Sequence, residues 1–273
     1  MKLGIDIGGT TINIGTVDNG KIISKFTVRS FAQNATLQDT LNHLHTNLDE
    51  HMEGIESIGV GVPSVVDVNK GIVYNAANIP SWTEVHLKED LEDRYGIPVS
   101  VNNDANCYAL GAASLTGADG KGIFVAVTLG TGVGIGVIEG GKVLNGANTG
   151  VGELTWLPYN GKPIEYWCGK SFFTDKGLVP VELFRKAEKG DVVARGLFRE
   201  YGRNLGALLA VVLSAYDPDS LVFGGGIANA SRYFHDEMMQ RVGECFPFPE
   251  SLKKLKISYL AESDAPIIGA AML

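Results

Sequence analysis

The chain has 273 residues, enough for one large domain or two of ordinary size. Apolar residues make up 45% and charged residues 20%, so a sizeable core can form and a disordered chain is excluded. Its 23 basic and 31 acidic residues leave a net charge of −8, which excludes a general binder of nucleic acid or anionic membranes, since both need a basic face. In chain order, Met1 to Asp6 runs straight into a strand-like pattern with no signal-peptide core before it. Ile5-Asp6-Ile7 breaks into the turn Gly8-Gly9-Thr10-Thr11, and a second apolar run, Ile12 to Val17, ends at Asp18-Asn19-Gly20-Lys21, a two-residue hairpin signal. Leu37 to Glu53 has helical spacing, and Ile55 to Val62 reads as a buried strand stopped by Pro63. Leu87 to Tyr95 is a short amphipathic helix closed by Gly96. Val99-Ser100-Val101 is a strand leading into Asn102-Asn103-Asp104, Ala105 to Ser114 is helical, and Thr116 to Gly122 resembles a linker.

The second half restarts the pattern. Val127-Thr128-Leu129 breaks into Gly130-Thr131-Gly132, Val133 to Ile138 follows, and Glu139-Gly140-Gly141-Lys142 makes another hairpin. From Gly15 and Gly136 onward the offset is a constant 121 residues, which points to a duplicated α/β domain with a cleft between the copies. A largely helical segment runs from Gly190 to Ala215. Leu221-Val222-Phe223 is a strand ending in Gly224-Gly225-Gly226, and Ala265 to Leu273 is a short helix. The division expected from these patterns is a small domain over 1–115, joined by helix 265–273 packing back on it, and a larger domain over 116–264. Glycine accounts for 35 residues, about 13% against a usual ~7%, and this excess belongs to the turns.

Backbone N–H groups in a Gly-rich turn after a strand form an anion nest, and the pairing of two such turns favours phosphate binding over ordinary hairpins. Asp6, one residue before the end of its strand, is placed to orient Mg²⁺ through water. Two rival phosphate motifs fail. Gly169-Lys170-Ser171 mimics the end of a Walker A loop, but the required glycine falls at Ile164, and the glycines from Gly130 to Gly136 lack dinucleotide spacing. Asp104, at a strand-to-helix junction among asparagines, suits a general base or a cap of the following helix. Glu153 and Glu165 suit acceptors of sugar hydroxyls or plain surface carboxylates. The cysteines Cys107, Cys168 and Cys245 fit neither a disulfide framework nor a zinc spacing, and a reducing cytoplasm suits them.

These motifs resemble the ROK family of sugar kinases, of the actin-like ATPase (ribonuclease H-like) superfamily. Leu3 to Thr10 resembles the family's first phosphate motif, and Leu129 to Gly136 its second. Gly61 to Asp67 resembles its sugar-side loop, Asn103-Asp104-Ala105-Asn106 the motif of its catalytic base, and Gly152-Glu153-Leu154 the start of its sugar motif. Gly224 to Ile227 resembles the adenosine loop. The resemblance implies duplicated α/β domains with a central cleft and ATP-dependent phosphorylation of a hexose 6-OH. Asp104 would be the base, Asp6 would help hold Mg²⁺, and Gly8, Gly9, Thr10, Thr11, Gly130, Thr131, Gly132, Gly224, Gly225 and Gly226 would hold ATP. Ser64, Asn103, Asp104, Glu153, Trp156 and Glu165 would face the sugar.

Three departures cluster at the sugar end. Trp156 stands where the family has histidine, with Thr155 before it; the family's cysteine-rich zinc loop is missing, so no structural zinc is expected; and Ser64 replaces a glycine. Trp156 would wall the sugar pocket or turn into the core of the shortened loop. The implied activity is glucokinase-like, with fructokinase or N-acetylmannosamine kinase as alternatives. A non-catalytic sugar-binding regulator is the alternative of another class. Small-molecule partners, a cytoplasmic location and a possible homodimer complete the expectation, with no nucleic acid and no membrane.

Overall fold

The computed structural model describes residues 1–76, 78–118, 122–261 and 263–273. The elements in the first half are β1 (Lys2–Ile7), β2 (Thr11–Asp18), β3 (Lys21–Arg29), α1 (Leu37–Leu48), β4 (Ser57–Val62), β5 (Val65–Asp67), β6 (Ile72–Tyr74), β7 (Glu84–His86), α2 (Leu87–Tyr95), β8 (Val99–Asn103) and α3 (Asp104–Thr116). The second half carries β9 (Ile123–Leu129), β10 (Val133–Glu139), β11 (Lys142–Val143), β12 (Pro158–Tyr159), β13 (Lys162–Pro163), α4 (Ile164–Cys168), α5 (Ser171–Thr174), α6 (Pro180–Glu188), α7 (Val192–Tyr216), β14 (Ser220–Gly224), α8 (Ser231–Cys245), α9 (Pro249–Lys254), β15 (Lys256–Leu260) and α10 (Ala265–Ala271).

Two five-stranded sheets share one topology. The first runs β3-β2-β1-β4-β8 and the second β11-β10-β9-β14-β15. In the first, the hairpin strands are antiparallel, while β4 and β8 join in parallel. In the second, β9, β14 and β15 are parallel. The turns that the sequence marks are two-residue turns with left-handed backbone, Asn19 and Gly20 at φ 47° and 74°, Gly140 and Gly141 at 57° and 79°. That geometry matches the twist of the flanking strands, which is why Asn-Gly and Gly-Gly occupy it.

Contacts divide the chain into two units. One comprises Met1–Gly120, Gly136–Val151 and Asp264–Leu273; the other comprises Lys121–Ile135 and Gly152–Ser263. The sequence pattern groups residues 136–151 with the second domain, whereas the structure groups them with the first unit. The reason is close packing: a Cβ on Gly136 would overlap Ala105 O, so the strand backbone lies directly on α3. Of the expected linker, residues 119–121 lie outside the described residues, and α3 runs on to Thr116 with Gly117 as its left-handed cap.

In the first unit, Leu3, Ile5, Ile7, Ile12 and Ile14 are fully buried with Leu44, Leu48 and Trp82. The Trp82 indole donates to Thr40 Oγ1 at 2.7 Å, so the largest side chain of this core leaves no bare donor. α10 packs on β1, β4 and α3. Gly59 and Gly111 make this possible, since a Cβ on either would overlap a carbonyl oxygen of the helix, Ala270 O or Ala265 O. In the second unit, α7 buries Leu205, Leu208, Leu209 and Val212, the stripe set by its helical period, beside the aromatic cluster Phe172, Phe173, Phe198 and Tyr201. Among the described residues, no helix is long and apolar enough to cross a membrane.

Candidate active site

Asp6 stands in β1 beside Asn13 of β2 and Gly61 of β4. Asn13 Nδ2 donates to Asp6 Oδ2 at 3.1 Å, and Thr27 Oγ1 donates to Asn13 Oδ1 at 2.9 Å, which fixes the carboxylate. Burial pushes the Asp6 carboxyl above the usual carboxylate range, and the Asn13 hydrogen bond opposes this only in part. Among the described residues, no basic side chain offsets its charge. A divalent cation relieves such an environment and takes only one or two carboxylates besides water and phosphate, so Asp6 fits Mg²⁺. No cluster of three or more potential metal-ligating side chains occurs among the described residues.

This environment sets a stability test. The raised folded pKa means that Asp6 contributes most at low pH and loses that contribution as pH rises through the folded value. Asp6→Asn keeps the oxygen that accepts from Asn13 and removes the charge. It is expected to melt above wild type at neutral pH, with the gap closing as pH falls. Thermal melts from about pH 4 to about pH 8 check this, and a variant that melts lower at neutral pH would show that burial is not the dominant effect.

The first Gly turn is pinned through its carbonyls. Gly8 N–H donates to Thr11 O at 2.9 Å, Ser30 N–H to Thr10 O at 2.9 Å, and Ser30 Oγ to Gly8 O at 2.7 Å. The N–H groups of Gly9 and Thr10 donate to no group among the described residues, which leaves them for an anion.

At the end of β8, Asn103 caps α3. Its Oδ1 accepts from Ala105 N–H at 2.9 Å and Asn106 N–H at 3.3 Å. The cap alternative for Asp104 is thereby corrected: Asp104 is the first residue inside the helix, half-buried, with its Oδ1 sharing the Ala105 N–H at 2.8 Å. Asn103 Nδ2 also donates to Ser64 O at 3.2 Å, while the Ser64 hydroxyl donates to Tyr74 O. Ser64 and Asn103 therefore come together through a backbone carbonyl, and the Ser64 hydroxyl is already engaged.

The second Gly turn lies in the other unit. Gly130 N–H donates to Gly132 O at 3.0 Å, and Lys170 N–H donates to Gly130 O at 3.0 Å. Thr131 and Gly132 N–H groups carry no partner among the described residues. Glu165, on α4, accepts from Val133 N–H at 3.1 Å, and a Cβ on Gly132 would overlap its carboxylate. It braces this turn. The third turn follows β14. Gly225 has φ 79°, and a Cβ there would overlap Leu129 O, so only glycine lets the turn meet the end of β9.

A cleft of about 560 Å³ opens beside Gly130 and Gly226. Val179, Pro180, Val181, Phe184 and Ile227 supply its apolar lining, and Lys170, Arg185, Glu188 and Asn229 its polar groups. An apolar cleft with a few polar groups, next to an anion nest, suits a nucleoside with phosphates. The sequence patterns do not single out Lys170 or the 179–188 segment. The available signals are Lys170 in its failed Walker match and Val179 and Val181 exposed at 47% and 52% around Pro180 at the start of α6.

Glu153 and Trp156 share a 3₁₀ turn, where the Trp156 indole N–H donates to Glu153 Oε2 at 3.1 Å. Trp156 is 66% exposed and Thr155 is 3% exposed, which corrects the alternative that Trp156 fills the core. Thr155 is the residue turned inward. The chain then makes the β12–β13 hairpin and enters α4, whose Cys168 is fully buried with its thiol pushed up by burial.

The profile of the ROK family matches residues 2–171 and 159–273. The chain belongs to the ROK family. A glucokinase of Halalkalibacterium halodurans is 29% identical over 99% of this chain and 94% of its own length. An N-acetyl-D-glucosamine kinase of Salmonella heidelberg is 30% identical over 84% of this chain and 85% of its own. The crystal structure of a ROK family glucokinase from Streptomyces griseus, in complex with glucose and AMPPNP, superposes with a TM-score of 0.81 at 27% identity, covering 99% and 98% of the two chains. The duplicated sheets of this ROK chain are thus the actin-like ATPase fold.

Proposed function

We propose that this ROK chain, an ATP-dependent sugar kinase, transfers the γ-phosphoryl group of ATP to the 6-OH of glucose or a related hexose, with Asp104 as general base. The observation that carries this reading is the division of labour at the start of α3. Asn103 caps the helix, and the neighbouring carboxylate needs no capping role. A carboxylate so placed can take the hydroxyl proton as the oxygen attacks phosphorus. Phosphoryl transfer otherwise needs positioning and charge neutralisation. The N–H groups of Gly9, Thr10, Thr11, Thr131 and Gly132 serve the phosphates, and the cleft beside Gly226 serves the nucleoside. Asp6 would help hold Mg²⁺, and the ion would supply charge neutralisation when bound. On the sugar, Glu153 accepts hydroxyl hydrogen bonds, and Asn103 donates through the second hydrogen of Nδ2. Glu165 acts indirectly, through its hydrogen bond to Val133.

The glucokinase and N-acetylglucosamine kinase relatives support a hexose and leave the C2 substituent open. ADP release measured over glucose, mannose, fructose, N-acetylglucosamine, N-acetylmannosamine and a β-glucoside tests the reading. Turnover of none of these sugars overturns it.

Trp156 bears on that ranking. Its indole N–H occupies one lobe of the Glu153 carboxylate and offers no acceptor of its own, where imidazole would offer one. A pocket with fewer buried polar groups to leave unpaired discriminates less between hydroxyl patterns. Trp156→His is therefore expected to raise the kcat/KM preference for glucose over 2-deoxyglucose and over a β-glucoside by about tenfold. An unchanged ranking would make Trp156 a structural residue.

A further inference from the structure

Three asparagine side chains close a ring around the Asp104 turn, all within the first unit. Asn102 Oδ1 accepts from the Asn103 N–H at 2.8 Å and from Asn106 Nδ2 at 3.0 Å. Asn102 Nδ2 donates to Asn145 Oδ1 at 2.9 Å, and Asn106 Nδ2 reaches the same oxygen at 3.4 Å. Asn102 and Asn106 are 4% and 1% exposed. The ring is kept although it leaves Asn106 Oδ1 without a hydrogen-bond partner, alone among the buried side-chain polar atoms of the described residues. Buried amides are disfavoured against an apolar filling unless their geometry does something an apolar group cannot.

Asn145 comes from a different part of the chain, the segment that follows β11. Four residues on, Thr149 is buried and has φ 54°, a left-handed backbone that a β-branched residue rarely adopts. Its Oγ1 accepts from Val66 N–H at 3.1 Å. One short segment thus holds the Asp104 turn through Asn145 and β5, which follows Ser64, through Thr149. The Asn103 Nδ2 bond to Ser64 O links those two held points directly.

We infer that Asn145 is a positioning residue for the kinase reaction, setting the direction of the Asp104 carboxylate through Asn102 and Asn106. The inference rests on Asp104 being the base. Amides suit this task, because each can donate and accept at once and so close the ring. Both hydrogen bonds to Asn145 are accepted by its oxygen, so Asn145→Asp preserves them and Asn145→Ala removes them.

The test measures kcat, KM for ATP and KM for the sugar in the full-length chain carrying Asn145→Ala, Asn145→Asp or Asp104→Asn. Misplacement of a reacting group by about 1 Å can reduce rate up to ~10²-fold. The expected result is an Asn145→Ala kcat at least about tenfold down, KM for ATP within about twofold of wild type, and most of the loss recovered in Asn145→Asp. An Asn145→Ala enzyme with wild-type kcat overturns the inference. So does a loss of kcat that Asn145→Asp fails to recover. Asp104→Asn with full turnover overturns the base assignment itself, a result distinct from either of these.

Discussion

Asp104→Asn is expected to abolish turnover while leaving affinity for ATP within about twofold of wild type. The substitution keeps the shape and the oxygen that accepts from Ala105 N–H, and Asn103 still caps α3, so the helix start and the fold should survive. What disappears is the group that can take a proton from the sugar hydroxyl. Loss of a general base reduces rate by ~10²–10⁴-fold. The cleft proposed for the nucleoside, lined by Lys170, Phe184 and Gly226, belongs to the other unit, and the phosphate groups proposed in this unit are backbone N–H groups that the substitution leaves in place, so nucleotide binding should not register the change. Steady-state kinetics with a parallel titration of a non-hydrolysable ATP analogue checks both halves. A purified mutant with most of its kcat would show that Asp104 is not the base.

Gly59→Val is expected to be among the most destabilising single changes in the chain. The Ala270 carbonyl oxygen occupies the place of the new Cβ, and it is backbone, so no side chain can swing aside. The helix would have to lift from β1 and β4, exposing Ala265, Ile267, Ile268 and Ala270, all buried in the native seat. Overpacking and loss of that burial together should exceed ~4 kcal/mol, a large share of the ~5–15 kcal/mol that holds a typical domain. Urea unfolding monitored by circular dichroism measures it. A loss below about 1 kcal/mol would mean that α10 does not depend on this contact.

The elements and their duplication were legible because local chemistry determines them. Asn19-Gly20 and Gly140-Gly141 can adopt a left-handed backbone cheaply, and the apolar runs on either side have the period of strands. The same holds for the Gly96 cap and for the apolar stripe of α7. The Gly turns and the junction at Asp104 were legible as motifs for a related reason: a Gly-rich turn or a carboxylate at a strand end is local in sequence. What escaped depends on residues brought together from far apart. Residues 136–151 join the first unit because Gly136 lets the strand press on α3, a fact about the partner and not about the strand. Asn102 and Asn145 are 43 residues apart, and neither carries a local signature of its bond to the other. Trp156 could turn outward or into the core on sequence grounds, and its exposure beside the inward-turned Thr155 depends on the fold around that turn.

The seat of α10 also dictates an order of events during synthesis. Its glycine-lined bed is made by β1, β4 and α3, all within the first 116 residues, but its occupant is residues 265–271. Roughly 150 further residues must be translated before the bed can be filled, which at ~5–20 residues per second takes on the order of 10–30 s. Through that interval the nascent first unit presents an uncovered apolar surface. That surface keeps no native cover until the second unit has been made and the chain returns.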